Sequence, residues 1–313
     1  MKKISITLIL LLNISFSGFA QEVKYTEEEL SINELIPGTL TRPADQKAES
    51  LIIFIQGSGP TDRDGNQSMM KNDGMKKMAR ELAGNGIASF RFDKRIFKMM
   101  ELKMKIEDLS ISDMAGDVVD ILNYFKAKDE FENFIVAGHS QGSLIGILAS
   151  KEHADAFISL AGPGQPIDDI IVEQYSKMAP ELGESTRKKF DELEEKGTTE
   201  NDNPMLASIF APYVQPFIKS WMQYDPSEEI KDLDIPVLII NGTMDIQTEP
   251  KEAEMLHSAN ENSKLVLLEN MNHIFRKVES KDRLVNTKSY NEPNRPLHPE
   301  LIPVITDFIK ELE

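Results

Sequence analysis

Residues 134–150 read FIVAGHSQGSLIGILAS, and the fold turns on what this stretch is. Residues 134–137 form an apolar run of strand length, and residues 143–150 begin a helical pattern. Between them, Gly138-His139-Ser140-Gln141-Gly142 fits G-x-S-x-G, in which a serine sits on a sharp strand-to-helix turn. Glycine on either flank lets strand and helix close together where a side chain would collide. Two glycines and a serine also meet in ordinary turns, so Ser140 is a candidate nucleophile only if the chain supplies it with partners.

Apolar runs of the same kind occur at 51–55, 87–92, 156–161, 236–240 and 265–268. They are near-continuous rather than alternating, which predicts strands of a largely parallel sheet buried on both faces. Helical patterns fall between them at 72–83 and 107–125, and a last one at 299–312. In the second, Leu109, Met114, Val118, Ile121, Leu122 and Phe125 trace one apolar face. The alternation predicts an α/β fold with a mostly parallel sheet flanked by helices. Residues 23–42, with Ile36-Pro37-Gly38-Thr39, predict an antiparallel hairpin at the sheet edge. Some seventy residues between the strand ending at Ala161 and the one starting at Pro236 contain no strand pattern. A structureless loop of that length is unusual, so residues 163–232 read as an inserted helical cap, or else as a surface appendage. This segment has 15 acidic and 7 basic residues, a net charge of −8.

The first twenty residues have the parts of a secretory signal peptide: Lys2 and Lys3, an apolar run over 4–12, and small residues Gly18 and Ala20 before a cut near Gln21. The run is too short to span a bilayer comfortably, so the expectation is an exported chain, periplasmic or secreted, with no membrane insertion after cleavage. Cleavage removes two lysines and no acids, taking the formal charge of the 313-residue chain from −17 to −19. So acidic a protein should repel nucleic acid and anionic membranes. The absence of cysteine excludes a disulfide scaffold, a thiol nucleophile and a thiolate metal site.

A serine nucleophile needs a histidine base that a third group orients. Of the five histidines, His139 adjoins Ser140 in a turn where side chains diverge, His153 and His257 lie in or beside helices, and His298 precedes Pro299 at a helix start. His273 alone follows the carboxyl end of a strand, where open α/β sheets build their sites. Asp245 follows the 236–240 strand on a loop begun by Gly242. Taken alone it is also an ordinary turn residue. The order Ser140, Asp245, His273, each after a separate strand, matches a Ser…Asp…His triad. Backbone donors for an oxyanion are expected at Gln141, opening the helix after Ser140, and at Ser58, between Gly57 and Gly59 after the 51–55 strand.

With these motifs in order, the chain resembles the α/β-hydrolase superfamily over essentially all of residues 30–313 apart from the cap. Gly57-Ser58-Gly59-Pro60-Thr61-Asp62-Arg63-Asp64-Gly65 and Arg91-Phe92-Asp93-Lys94-Arg95 resemble bacterial carboxylesterases of the EstD type. That resemblance implies hydrolysis of small acyl esters with short acyl chains, with no metal and no organic cofactor. Two departures stand out. Where relatives continue Asp-Lys-Arg with glycines and a serine, this chain runs into methionine-rich residues 96–104, an adaptable apolar wall or a buried helix. Gln56 stands where many relatives have histidine. Asp62-Arg63-Asp64-Gly65-Asn66 lacks the ligand alternation of a calcium loop and reads as ion pairing that braces the oxyanion loop. A peptidase whose acidic cap holds a free amine is the nearest alternative, and a non-catalytic binding protein on the same fold is a more distant one.

Overall fold

A computed structural model describes residues 24–99 and 101–312. The expected signal peptide lies outside the described residues.

In chain order the elements are β1 (Tyr25–Ser31), β2 (Pro37–Pro43), β3 (Ser50–Ile55), α1 (Gly74–Ala83), β4 (Ala88–Phe92), α2 (Ile96–Met99), α3 (Ile111–Lys128), β5 (Asn133–His139), α4 (Gln141–Ser150) and β6 (Ala156–Leu160). Five helices follow: α5 (Ile167–Met178), α6 (Pro180–Lys196), α7 (Ala207–Phe210), α8 (Gln215–Trp221) and α9 (Pro226–Glu229). The chain then returns through β7 (Val237–Gly242), α10 (Pro250–Ala259), β8 (Lys264–Leu268), α11 (Arg283–Lys288) and α12 (Leu301–Lys310).

The eight strands form one sheet in the order β1-β2-β4-β3-β5-β6-β7-β8. β1, β2 and β4 pair antiparallel at one edge, and every other neighbouring pair is parallel. β3 to β7 are buried along all or nearly all of their length, so their sequences are largely apolar runs, while the edge strand β1 is mostly exposed and carries three successive glutamates. In β3, Ile52 and Phe54 pack with α1 and α12, while Leu51, Ile53 and Ile55 face the cluster containing α3, α4 and α10. β4 lies on one side of β3 and β5 on the other, so the order reverses at the β3/β5 pair. A crevice opens beyond the carboxyl ends of strands at such a reversal.

The 107–125 helical pattern begins four residues late. Ser110 caps α3, its Oγ accepting from the Asp113 amide at 3.2 Å while the Asp113 carboxylate accepts from the Ser110 amide at 3.0 Å. This reciprocal pair fixes where the helix can start and leaves residues 106–108 as a single 3₁₀ turn. Among the described residues of the methionine-rich stretch there is one short helix, α2, with Met99 buried and Phe97 and Leu102 exposed.

Candidate active site

Ser140, between β5 and α4, has φ 54° and ψ −120°, a strained conformation for a residue carrying a Cβ. Strand and helix are forced together here. A Cβ on Gly138 would stand 2.0 Å from the Gly142 carbonyl oxygen, and one on Gly142 would stand 2.5 Å from that of Ile55. The Ser140 amide is tied to the Leu160 carbonyl of β6 at 3.0 Å, so the turn is anchored to the sheet.

Asp245 and His273, twenty-eight residues apart, meet at the ends of β7 and β8. His273 Nδ1 and Asp245 Oδ2 are 2.8 Å apart, with both residues buried. Asp245 Oδ1 accepts the amides of Gln247 and Thr248 at 2.8 and 3.0 Å, so its other oxygen is left for the imidazole. A carboxylate on Nδ1 selects the tautomer that donates there, leaving Nε2 as a proton acceptor. Ser140 and His273 line one cavity of about 270 Å³. Among the described residues no hydrogen bond joins the serine hydroxyl to the ring, the loose geometry common in such sites before substrate tightens them.

The loop carrying His273 is held from three sides. His139 bonds the His273 carbonyl oxygen through Nε2 at 3.0 Å, and its ring centroid lies 4.7 Å from that of His273. Burial, with His273 alongside, holds His139 well below the usual imidazole range, so it is a neutral Nε2–H donor to that carbonyl. His298, ahead of α12, bonds the Glu269 carbonyl oxygen at 3.0 Å, and its amide bonds that of Phe275 at 2.8 Å. Arg276, fully buried, donates to the Asn72 carbonyl at 2.7 Å, and burial pushes its guanidinium down to about 10. These roles leave no trace in spacing, because histidine and arginine are here contacting main-chain oxygens distant in sequence.

Ser58 and Gln141 both border the position in front of Ser140. Gln141 is the first residue of α4, where an N–H has no acceptor within the helix. Ser58 is steered by a residue that sequence reasoning left without a role. The Lys94 ammonium, just past β4, donates to the carbonyl oxygens of Gly57 and Gly59. The Gly57 carbonyl and the Ser58 N–H belong to one trans peptide and point in opposite directions. Holding the carbonyl therefore aims the N–H away from Lys94. Burial pushes Lys94 down to about 7, and the two carbonyls oppose this by favouring the ammonium. The signal was three charged residues directly after an apolar strand, and each ties down a different element. Asp93 takes the Arg63 guanidinium and amide, Lys94 takes the 57–59 loop, and Arg95 pairs with the buried Asp117 of α3 at 2.6 Å. Asp64 and Glu27 pair with the buried Arg91, so carboxylates in and around residues 62–66 are engaged in ion pairs.

A second cavity, about 1120 Å³, lies between the sheet and the helices inserted after β6. It also reaches Ser58 and Ser140, and its walls are Leu109, Ile167, Ile171, Phe217 and Trp221 with other apolar side chains. Among the described residues no cluster of His, Asp or Glu has the makings of a metal site.

A mostly parallel eight-stranded sheet, with a strained Ser140 and a paired Asp245 and His273 at its strand ends, defines an α/β-hydrolase. The chain belongs to the family described as serine aminopeptidase, S33, whose model matches residues 71–276. It is 25% identical over 268 residues, 82% of its length, to esterase EstD of Thermotoga maritima, and it spans only 62% of that relative. Among solved structures it superposes on Est1E of Butyrivibrio proteoclasticus with a TM-score of 0.56, 15% identity and coverage of 91% of this chain and 98% of the other. An esterase of Pyrococcus furiosus superposes with a TM-score of 0.55 at 14% identity, covering 92% of this chain and 91% of its own. At these identities the superpositions establish the fold.

Proposed function

We propose that this protein is an exported serine esterase that cleaves carboxylic esters through an acyl-enzyme. The observation that carries the reading is the Asp245–His273 hydrogen bond at 2.8 Å, with His273 lining the same cavity as a strained Ser140. Ser140 Oγ attacks the ester carbonyl while His273 Nε2 takes its proton. The Ser58 and Gln141 amides hold the oxyanion, and His273 gives the proton to the leaving alcohol. Asp245 keeps the tautomer and balances the imidazolium charge. Water then enters, His273 removes its proton, and collapse of the second tetrahedral intermediate releases the acid and restores Ser140. Every proton is accounted for by these groups and water. Export rests on the charged, apolar and small-residue pattern of residues 1–20.

The family description and the net charge of −8 over 163–232 favour a second reading, an aminopeptidase. Such an enzyme needs a carboxylate to hold the substrate's amine. Among the described residues, the side chains lining the large cavity include Lys94, Lys177, Lys281 and Arg283 and no Asp or Glu. That lining offers no carboxylate to hold an ammonium, and its Lys177 is itself paired with Glu173 and Glu249, so the ester reading stands better. The test is turnover of p-nitrophenyl esters and labelling by a fluorophosphonate. Both should be lost in Ser140→Ala, with residual hydrolysis several orders of magnitude down. Turnover of an aminoacyl amide with no ester hydrolysis would move the assignment to the peptidase.

A further inference from the structure

We infer that the preferred esters join a large apolar acyl group to a small polar alcohol. This rests on the serine-esterase reading above and goes beyond it by assigning a substrate half to each cavity. The two cavities meet at Ser140, and each contains one proposed reacting group that the other lacks. His273 lines only the smaller cavity of about 270 Å³, and Gln141 only the larger of about 1120 Å³. In the tetrahedral intermediate the reacting carbon has four substituents: Ser140 Oγ, the oxyanion, the acyl carbon and the leaving oxygen. The leaving oxygen must take its proton from His273, so it has to lie on the His273 side. The oxyanion is taken by the Ser58 and Gln141 amides. The acyl carbon is left with the direction past Gln141, into the larger cavity.

The chemistry of the two spaces matches that division. The larger one is walled by Ile167, Ile170, Ile171, Phe217, Ile218 and Trp221, and apolar atoms dominate its surface. A chain laid there gains hydrophobic transfer energy with each methylene it buries. The smaller one mixes polar groups such as Gln56, Gln67 and Gln247 with Met75, Ile274 and Phe275, so an alkyl chain placed there would strip water from polar groups and gain less apolar contact than in the larger cavity. The short acyl chains expected from resemblance leave most of the larger cavity unfilled.

Two isomeric esters test the assignment, because they carry the same atoms on opposite sides of the ester bond. The mature protein should hydrolyse methyl octanoate with kcat/KM at least about tenfold above that for heptyl acetate. Equal rates, or a preference for heptyl acetate, with hydrolysis still dependent on Ser140, would overturn the assignment while leaving the esterase reading intact. Loss of all Ser140-dependent hydrolysis, on these and on p-nitrophenyl esters, would remove the esterase reading and this inference together. Filling the chamber with Ile170→Trp should lower turnover of methyl octanoate more than that of methyl butanoate. Equal falls on both esters in the folded variant would count against the larger cavity as the acyl site.

Discussion

Replacing Lys94 with methionine removes the ammonium while keeping an unbranched side chain in the same buried space. The carbonyls of Gly57 and Gly59 lose their common donor, and the peptide bearing the Ser58 N–H is free to rotate. Complete loss of one oxyanion donor costs about 10²–10³ in kcat. That is the ceiling, because the amide itself remains. We expect kcat on a p-nitrophenyl ester to fall about 10- to 100-fold with KM little changed, since the interaction matters most once charge develops on the carbonyl oxygen. The same variant carries a second signature. An amine near 7 in the folded chain and about 10.4 when unfolded binds fewer protons folded than unfolded between those values. Native wild-type protein therefore gains stability over Lys94→Met as pH climbs from 7 to 10, by up to about 1.4 kcal/mol per pH unit. The increment is lost again as pH falls through 7. Urea melts of both proteins at pH 6, 8 and 9.5 measure it. Unchanged kcat in a folded variant would refute the steering of Ser58 by Lys94, and pH-independent differences between the melts would refute the depressed amine.

Asp245→Asn should stay folded, because the amide oxygen can still accept from Gln247 and Thr248. Its NH₂ then faces His273 Nδ1 and drives the proton to Nε2, and kcat should fall about 10⁴-fold, as a wrong tautomer does in serine proteases; a fall under tenfold would remove Asp245 from the mechanism. Gly142→Ala puts a Cβ 2.5 Å from the Ile55 carbonyl and should cost about 3 kcal/mol or more in urea melts, the upper end of overpacking. Gly116→Ala is its control in α3, with nothing within 4 Å of the added methyl, and should stabilise by about 1 kcal/mol; equal melts for the two variants would dismiss the close approach.

The sheet was readable because parallel strands buried on both faces have to be unbroken apolar runs. The 51–55 and 134–137 runs each sit inside a strand of the structure, and the 236–240 run does so from Val237 onward. The hairpin at 23–42 was readable from Pro37 and Gly38, and it forms β1 and β2 at the edge. The start of α3 was missed because apolar periodicity continues through Leu109, whereas Ser110 and Asp113 decide the boundary through hydrogen bonds. Ser140, Asp245 and His273 could be nominated because each follows a strand and the reaction demands those three residue types. Lys94, His139, Arg276 and His298 could not. Their partners are backbone carbonyls brought near by the fold, and a carbonyl has no residue type to find. The two cavities were equally hidden, since their walls join side chains from segments far apart in sequence.

All the groups proposed to act on the ester lie just beyond the ends of β3, β5, β7 and β8, and none comes from the five helices inserted between β6 and β7. Those helices supply walls to the larger cavity while its reacting end is fixed by the sheet. On the proposed reading, the reacting groups and much of the acyl wall are written in separate parts of the gene, with Leu109, Met114 and Ile246 lining the cavity from outside the insert. Exchange of residues 163–232 can retune which acids are accepted while the proton relay beneath stays as it is, and a lineage can explore new esters without first losing the ability to cleave one.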